Sequence, residues 1–154
     1  MNGPAQYSTF YVAELFLGID VLNVQEVLQF QEMTRVPLAA EGIEGLINLR
    51  GQIVTAIDMR RRLGLPPRPA GTNPMNLVVR TGDGAVSLLV DEIGDVLDVN
   101  EKAFEPAPGN LAPAARALIR GVCKLQDRLL LVLDTGRILE LTGTRSVLEH
   151  GKAD

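Results

Sequence analysis

A chain of 154 residues, 46% of them hydrophobic, with a mean hydropathy of +0.14, suits one soluble globular domain or two very small ones that share a core. Its 15 Lys and Arg against 19 Asp and Glu leave a net charge of −4 and a pI near 5.0, so the overall field repels nucleic acid and anionic lipid rather than gathering them. The single cysteine, Cys123, excludes an internal disulfide and any cysteine cluster for zinc or iron–sulfur chemistry.

In chain order, the first ten residues lack the basic and apolar regions of an export signal, and pure apolar runs such as 129–133 fall far short of the roughly 20 residues of a membrane helix. The chain therefore reads as cytoplasmic. Short Val, Ile and Leu runs broken by Gly, Asp-Gly and Pro predict an all-β protein with a few helical turns. Strand pairs are expected at 7–13 with 16–24, 43–49 with 52–57, 77–80 with 85–90, and 120–125 with 129–133. The third pair turns at Gly82, Asp83 and Gly84, and the fourth around Gln126 and Asp127. Asp58 and Asp134 stand where a carboxylate caps a starting helix, which predicts helices at 59–63 and 137–148. The Pro- and Gly-rich stretches 65–74 and 105–113 read as connectors.

The chain also resembles itself. Gly18, Leu22, Val24 and Glu26 recur as Gly84, Leu88, Val90 and Glu92; Gly45, Leu49, Asp58, Arg61 and Leu63 recur as Gly121, Leu125, Asp134, Arg137 and Leu139. Two similar β units follow, each a hairpin, a Gly-preceded strand pair and a capped helical turn, with chance likeness among aliphatic strands as the alternative. Units that small bury little surface alone and should share a core.

The inventory for catalysis is thin. His150 is the only histidine and lies four residues from the last position, and Cys123 sits in an apolar strand as a small core residue without a histidine partner. No nucleophile elbow, phosphate-cradling loop or dinucleotide fingerprint occurs. Asp91, Glu92, Asp95 and Asp98 lack the spacing of a calcium loop and read as a solvated acidic face. Arg60, Arg61 and Arg62, near Arg68, are the one basic cluster; successive helical positions point about 100° apart, so they cannot form one flat phosphate-binding face. They read as exposed arginines that aid solubility, or as a partner contact. No cofactor and no metal is implied.

The segment 45–54, Gly-Leu-Ile-Asn-Leu-Arg-Gly-Gln-Ile-Val, is different. Period-two alternation puts Asn48 and Arg50 on one strand face between Gly45 and Gly51, and Gly51 permits a tight turn beside them. An arginine in apolar surroundings needs a carboxylate or a partner, because an unpaired buried charge costs several kcal/mol. Glu26 is the candidate. Two readings stand here: an internal pair that sets register, or a pair that also displays Arg50 to another protein.

Val36-Pro37, then Gly42-Ile43-Glu44-Gly45-Leu46-Ile47-Asn48-Leu49-Arg50-Gly51-Gln52-Ile53-Val54 and Ile57-Asp58-Met59-Arg60, resembles the CheW family of bacterial chemotaxis adaptors. Gly18-Ile19-Asp20-Val21 with Val24-Gln25-Glu26-Val27, Val90-Asp91 with Asp95-Val96-Leu97, Pro106-Ala107-Pro108, Gly121, Asp127-Arg128-Leu129 and Leu133-Asp134 extend the likeness over about 10–141. It implies two intertwined five-stranded SH3-like barrels around a shared core within one domain, the first centred on about 19–85 and the second on about 86–140 plus the N-terminal strand. It implies a non-enzyme that joins the cytoplasmic tips of methyl-accepting chemoreceptors to the regulatory domain of a CheA-type histidine kinase, and that meets the membrane only through receptors. By the same resemblance Arg50 and Glu26, framed by Asn48, Gly45 and Gly51, match the receptor-coupling and signalling site, and Val21 and Val24 match apolar positions facing the kinase. Thr55 stands where proline is common in the family, and the turn near Glu14 is short. A length of 154 residues leaves no room for kinase or receiver domains, so a free-standing adaptor is expected. The rival is a small-barrel protein that binds nucleic acid or another ligand through Arg60–Arg62.

Overall fold

The computed structural model describes residues 5–37, 42–82 and 84–142. Ten strands are laid out in order as β1 (Ala5–Val12), β2 (Leu15–Asp20), β3 (Val24–Leu28), β4 (Ile43–Leu49), β5 (Gln52–Asp58), β6 (Met75–Thr81), β7 (Gly84–Val90), β8 (Glu92–Val99), β9 (Ile119–Lys124) and β10 (Leu129–Leu133). The helices are α1 (Met59–Arg62), α2 (Pro113–Leu118) and α3 (Thr135–Thr142). The rest of the helix expected at 137–148, and His150 and Asp83, lie outside the described residues.

The strands form two five-stranded sheets, ordered β8-β1-β2-β10-β9 and β3-β6-β7-β5-β4. Each half of the chain gives its opening hairpin to one sheet and its next three strands to the other, and this exchange is the intertwining. Strand registers show how the halves match. The parallel pair Thr55 with Val86 repeats as Leu131 with Leu17, and Val24 opposite Val79 repeats as Ile93 opposite Phe10. Gly45, Asp58 and Leu63 therefore do correspond to Gly121, Asp134 and Leu139. The other alignment is three residues out of step: the counterpart of Gly18 is Ser87 rather than Gly84, and that of Glu26 is Asp95 rather than Glu92. Aliphatic side chains at similar spacing produced the false match.

Other elements also differ from expectation. The strand expected at 16–24 stops at Asp20, whose carboxylate accepts from the Leu22 N–H and caps a 3₁₀ turn at Val21–Asn23 before β3 begins. That break carries the chain from one sheet to the other. The acidic stretch is an edge strand, β8, with Glu92, Asp95 and Asp98 exposed. The connector 105–113 ends in Pro113 at the first turn of α2, where its missing N–H costs nothing.

The core lies between the sheets and takes residues from both, among them Phe10, Leu17, Ile57, Leu77, Leu88, Val122, Leu131 and Ile138. A second cluster around Tyr7, Phe16, Cys123 and Leu130, and a third around Ile47, Val54 and Val78, fill the other faces. Burial on two faces explains the unbroken buried runs in β1, β2, β5, β6 and β7, where a half-exposed strand would alternate. Each such Val, Leu or Ile contributes about 1.5–3 kcal/mol.

Candidate functional site: the β4–β5 hairpin and the edge of β3

Leu49 pairs with Gln52, leaving Arg50 and Gly51 as a two-residue loop in which both φ angles are positive, +52° and +86°. That is the turn whose twist matches antiparallel strands, and it suits glycine at the second position. Arg50 occupies the left-handed region with a side chain, at a cost of about 1–2 kcal/mol. Asn48 offsets part of this, its side-chain oxygen accepting from the Gly51 N–H at 2.8 Å. Arg50 is thus in the two-residue turn that the expected strands 43–49 and 52–57 leave between them, and not on the strand face that alternation shared with Asn48.

β3 and β4 are the two outer strands of their sheet, yet Arg50 Nη2 bonds the Glu26 carboxylate across that gap. The sheet therefore curls until its edges meet. The chain leaving β3 completes the closure, because Thr34 exchanges both backbone hydrogen bonds with Leu46 on the free edge of β4, at 2.8 and 2.7 Å. Gly45 allows the crossing: a Cβ there would stand 2.7 Å from the Thr34 carbonyl oxygen. Gly45 thus acts at the far end of β4, by close approach, while Glu26, Asn48, Arg50 and Gly51 come together at the tip.

The Arg50 side chain is 68% exposed and that of Glu26 23%. The apolar burial expected around the arginine is absent, since the turn lifts it into solvent. Exposed pairs of this kind contribute about 0–1 kcal/mol, so Arg50 can exchange its partner at small cost. Val21 and Val24 are half-buried, and Val24 packs on the main core; the exposed large apolar side chains of these elements include Leu22, 79% exposed, Val27 on β3 and Ile53 on β5.

Two charged clusters escaped the sequence reading. Arg60 forks onto Asp91, Nε to Oδ1 at 3.2 Å and Nη2 to Oδ2 at 2.7 Å; Arg68 Nη2 lies 3.2 Å from Oδ1, and the Ala13 N–H donates to Oδ2. Burial alone would raise the Asp91 carboxyl, but the bonds from Arg60 and Ala13 and the two positive charges hold it below the usual carboxylate range. Arg60 and Asp91 are therefore neither solvated basic nor solvated acidic surface; only the position of Asp91 directly after the apolar β7 hinted at this. In the other sheet, Tyr7, Glu101 and Arg120 share hydrogen bonds; burial and the Glu101 bond push the Tyr7 hydroxyl up, while Tyr7 and Arg120 draw Glu101 down. Among the described residues no three His, Cys, Asp or Glu side chains are placed to hold a metal ion, and no helix is long and apolar enough to cross a membrane.

The CheW-like domain model matches residues 6–142. The chain belongs to the CheW-like domain family. It is 32% identical over 131 residues to a chemotaxis protein CheW of Bacillus subtilis (strain 168), covering 85% of this chain and 84% of that one. A CheW of Klebsiella aerogenes is 32% identical over 122 residues, 79% and 74% of the two chains. The crystal structure of the scaffolding protein TtCheW from Thermoanaerobacter tengcongensis superposes with a TM-score of 0.79 at 29% identity, covering 91% of this chain and 95% of that one. The segment 42–60, which carried the core of the sequence resemblance, spans β4, its turn, β5 and the start of α1.

Proposed function

We propose that this protein is a non-catalytic chemotaxis scaffold that couples the cytoplasmic tips of chemoreceptors to the regulatory domain of a CheA-type histidine kinase. It works in the cytoplasm and reaches the membrane through its receptors. One observation carries the reading of the site: Arg50, on a tight turn, exposed, and held by an exchangeable ion pair to Glu26 on an edge strand. Such an arginine can trade an internal carboxylate for one on a partner with little net change in free energy, which suits reversible control. Val21 and Val24, beside Leu22, form the kinase-facing corner, an apolar contact of modest size next to a free strand edge. Membership in the CheW-like family supports the scaffold over the nucleic-acid alternative, and so does Arg60, whose guanidinium is bound to Asp91 and the proline carbonyls.

Reconstituted receptor tips, kinase and this protein test the reading. Arg50→Glu should keep the native melting profile and abolish receptor-dependent control of kinase autophosphorylation; a variant that controls the kinase normally would overturn the assignment of Arg50. Calorimetric titration against the isolated kinase regulatory domain should be saturable for the parent.

A further inference from the structure

Residues 65–69, Leu-Pro-Pro-Arg-Pro, follow α1 and join no strand or helix. Pro66, Pro67 and Pro69 have φ fixed near −65°, and Leu65, Pro66 and Arg68 each precede a proline, which drives them out of the helical region. The sequence alone thus stiffens the segment toward an extended polyproline-type rod.

Tertiary contacts then fasten it from beneath. Arg60 Nη1 donates to the Pro66 carbonyl at 3.1 Å and to that of Pro67 at 3.2 Å while the rest of its guanidinium holds Asp91. Arg68 turns inward to the same carboxylate, and the Thr72 N–H and hydroxyl both bond the Pro69 carbonyl. The side chains of Arg60, Arg68 and Asp91 are 12%, 15% and 18% exposed, whereas all three proline rings face solvent. Polar groups point in and apolar rings point out, the reverse of an ordinary surface loop.

A cleft of about 430 Å³ runs beside the ridge, lined by Pro67, Pro69, Arg61, Phe30 and Met33. Arg61 is exposed and has no ion-pair partner among the described residues. We propose that Pro66, Pro67 and Pro69, with Arg61 beside them, form a docking ridge for a partner protein presenting a shallow groove of Trp and Tyr side chains flanked by carboxylates. Rings held rigid before contact lose little entropy on binding, aromatic faces accept them, and the Pro66 and Pro67 carbonyls, each accepting one bond from Arg60, keep a second lone pair for a groove donor. Arg61 supplies the charge that acidic flanks complement. The ridge lies on the α1–β6 link and does not depend on the Arg50 reading.

The test is a titration of the isotope-labelled full chain with an SH3 domain whose proline groove carries acidic flanks, followed by amide shifts. Saturable shifts are expected at Leu65, Arg68, Ala70 and Gly71. The double substitution Pro66→Ala with Pro69→Ala, checked for an unchanged melting curve, should weaken binding by about tenfold or more, and Arg61→Glu should weaken it most at low salt. Arg50→Glu should bind the probe as the parent does, which separates failure here from failure of the scaffold reading. Absence of saturable shifts at those amides, shifts at the β4–β5 turn instead, or binding indifferent to the proline substitutions would overturn the proposal.

Discussion

The β4–β5 and β9–β10 hairpins occupy equivalent places in the two sheets, and each has an arginine near its tip, but the arginines meet opposite fates. Arg50 stands on its turn, largely exposed, and reaches across to Glu26. Arg128 lies over the Phe16 ring, 3.9 Å from its centroid, and bonds the Tyr11 hydroxyl. The counterparts of Gly45 and Ile53 are Gly121 and Leu129, so the scaffolds agree; the difference lies in what the neighbouring strand offers. The edge strand β3 presents Glu26, and the β1–β2 hairpin presents two aromatic rings. An exposed charge held by a single half-buried carboxylate can be exchanged, while one stacked on rings is part of the packing. The same fold thus makes one tip with an arginine held by a single ion pair and one with an arginine stacked on rings.

The crossovers between sheets contrast in the same way. Leu22, in the turn between β2 and β3, is exposed, whereas Asp91, between β7 and β8, is enclosed by Arg60, Arg68 and the Ala13 N–H. Asp91→Asn gives the largest expected effect, about 3–5 kcal/mol lost in denaturant unfolding, because two largely buried guanidinium groups lose their counter-charge. Its pH dependence has a definite sign. The folded carboxyl lies below its unfolded value, so its stabilisation is complete above the unfolded value and disappears as pH falls through the folded one. The parent should lose stability on acidification below about pH 4, and Asp91→Asn should lose less over that interval.

The glycine pair separates the two closures at an intermediate scale. Gly45→Ala places a Cβ against the Thr34 backbone and should cost about 2–3 kcal/mol, while Gly121→Ala meets the Phe104 side chain, 2.9 Å from Cδ2, which can shift, for about 1 kcal/mol. Equal melting temperatures for the two variants would contradict this account of how the sheets close. The smallest effect belongs to the arginines themselves. Arg128→Ala should lower stability by about 1 kcal/mol through the lost stacking, and Arg50→Ala by under about 0.5 kcal/mol in the same assay. A larger loss at Arg50 would mean that its pair with Glu26 is structural rather than exchangeable.

What could be read from the sequence was whatever local periodicity and turn chemistry determine. The paired β4 and β5 strands followed from their glycine-bounded apolar runs, and the Asp58 cap from a carboxylate placed before Met59. Glu26 and Arg50 were paired from the sequence on the premise of an arginine among aliphatic residues, and the structure keeps the pair but removes the premise, because Arg50 stands in solvent on its turn. Long-range geometry decided the rest. The exposure of Arg50 depends on a two-residue turn with positive φ, the register of the repeat depends on which strands pair, and the enclosure of Asp91 depends on Arg60, Arg68 and Ala13, far from it in the chain, arriving at one carboxylate. Periodicity assigns a side chain to a face; only the folded chain brings the groups that meet it there, and for a charged residue those groups decide between solvent, partner and core.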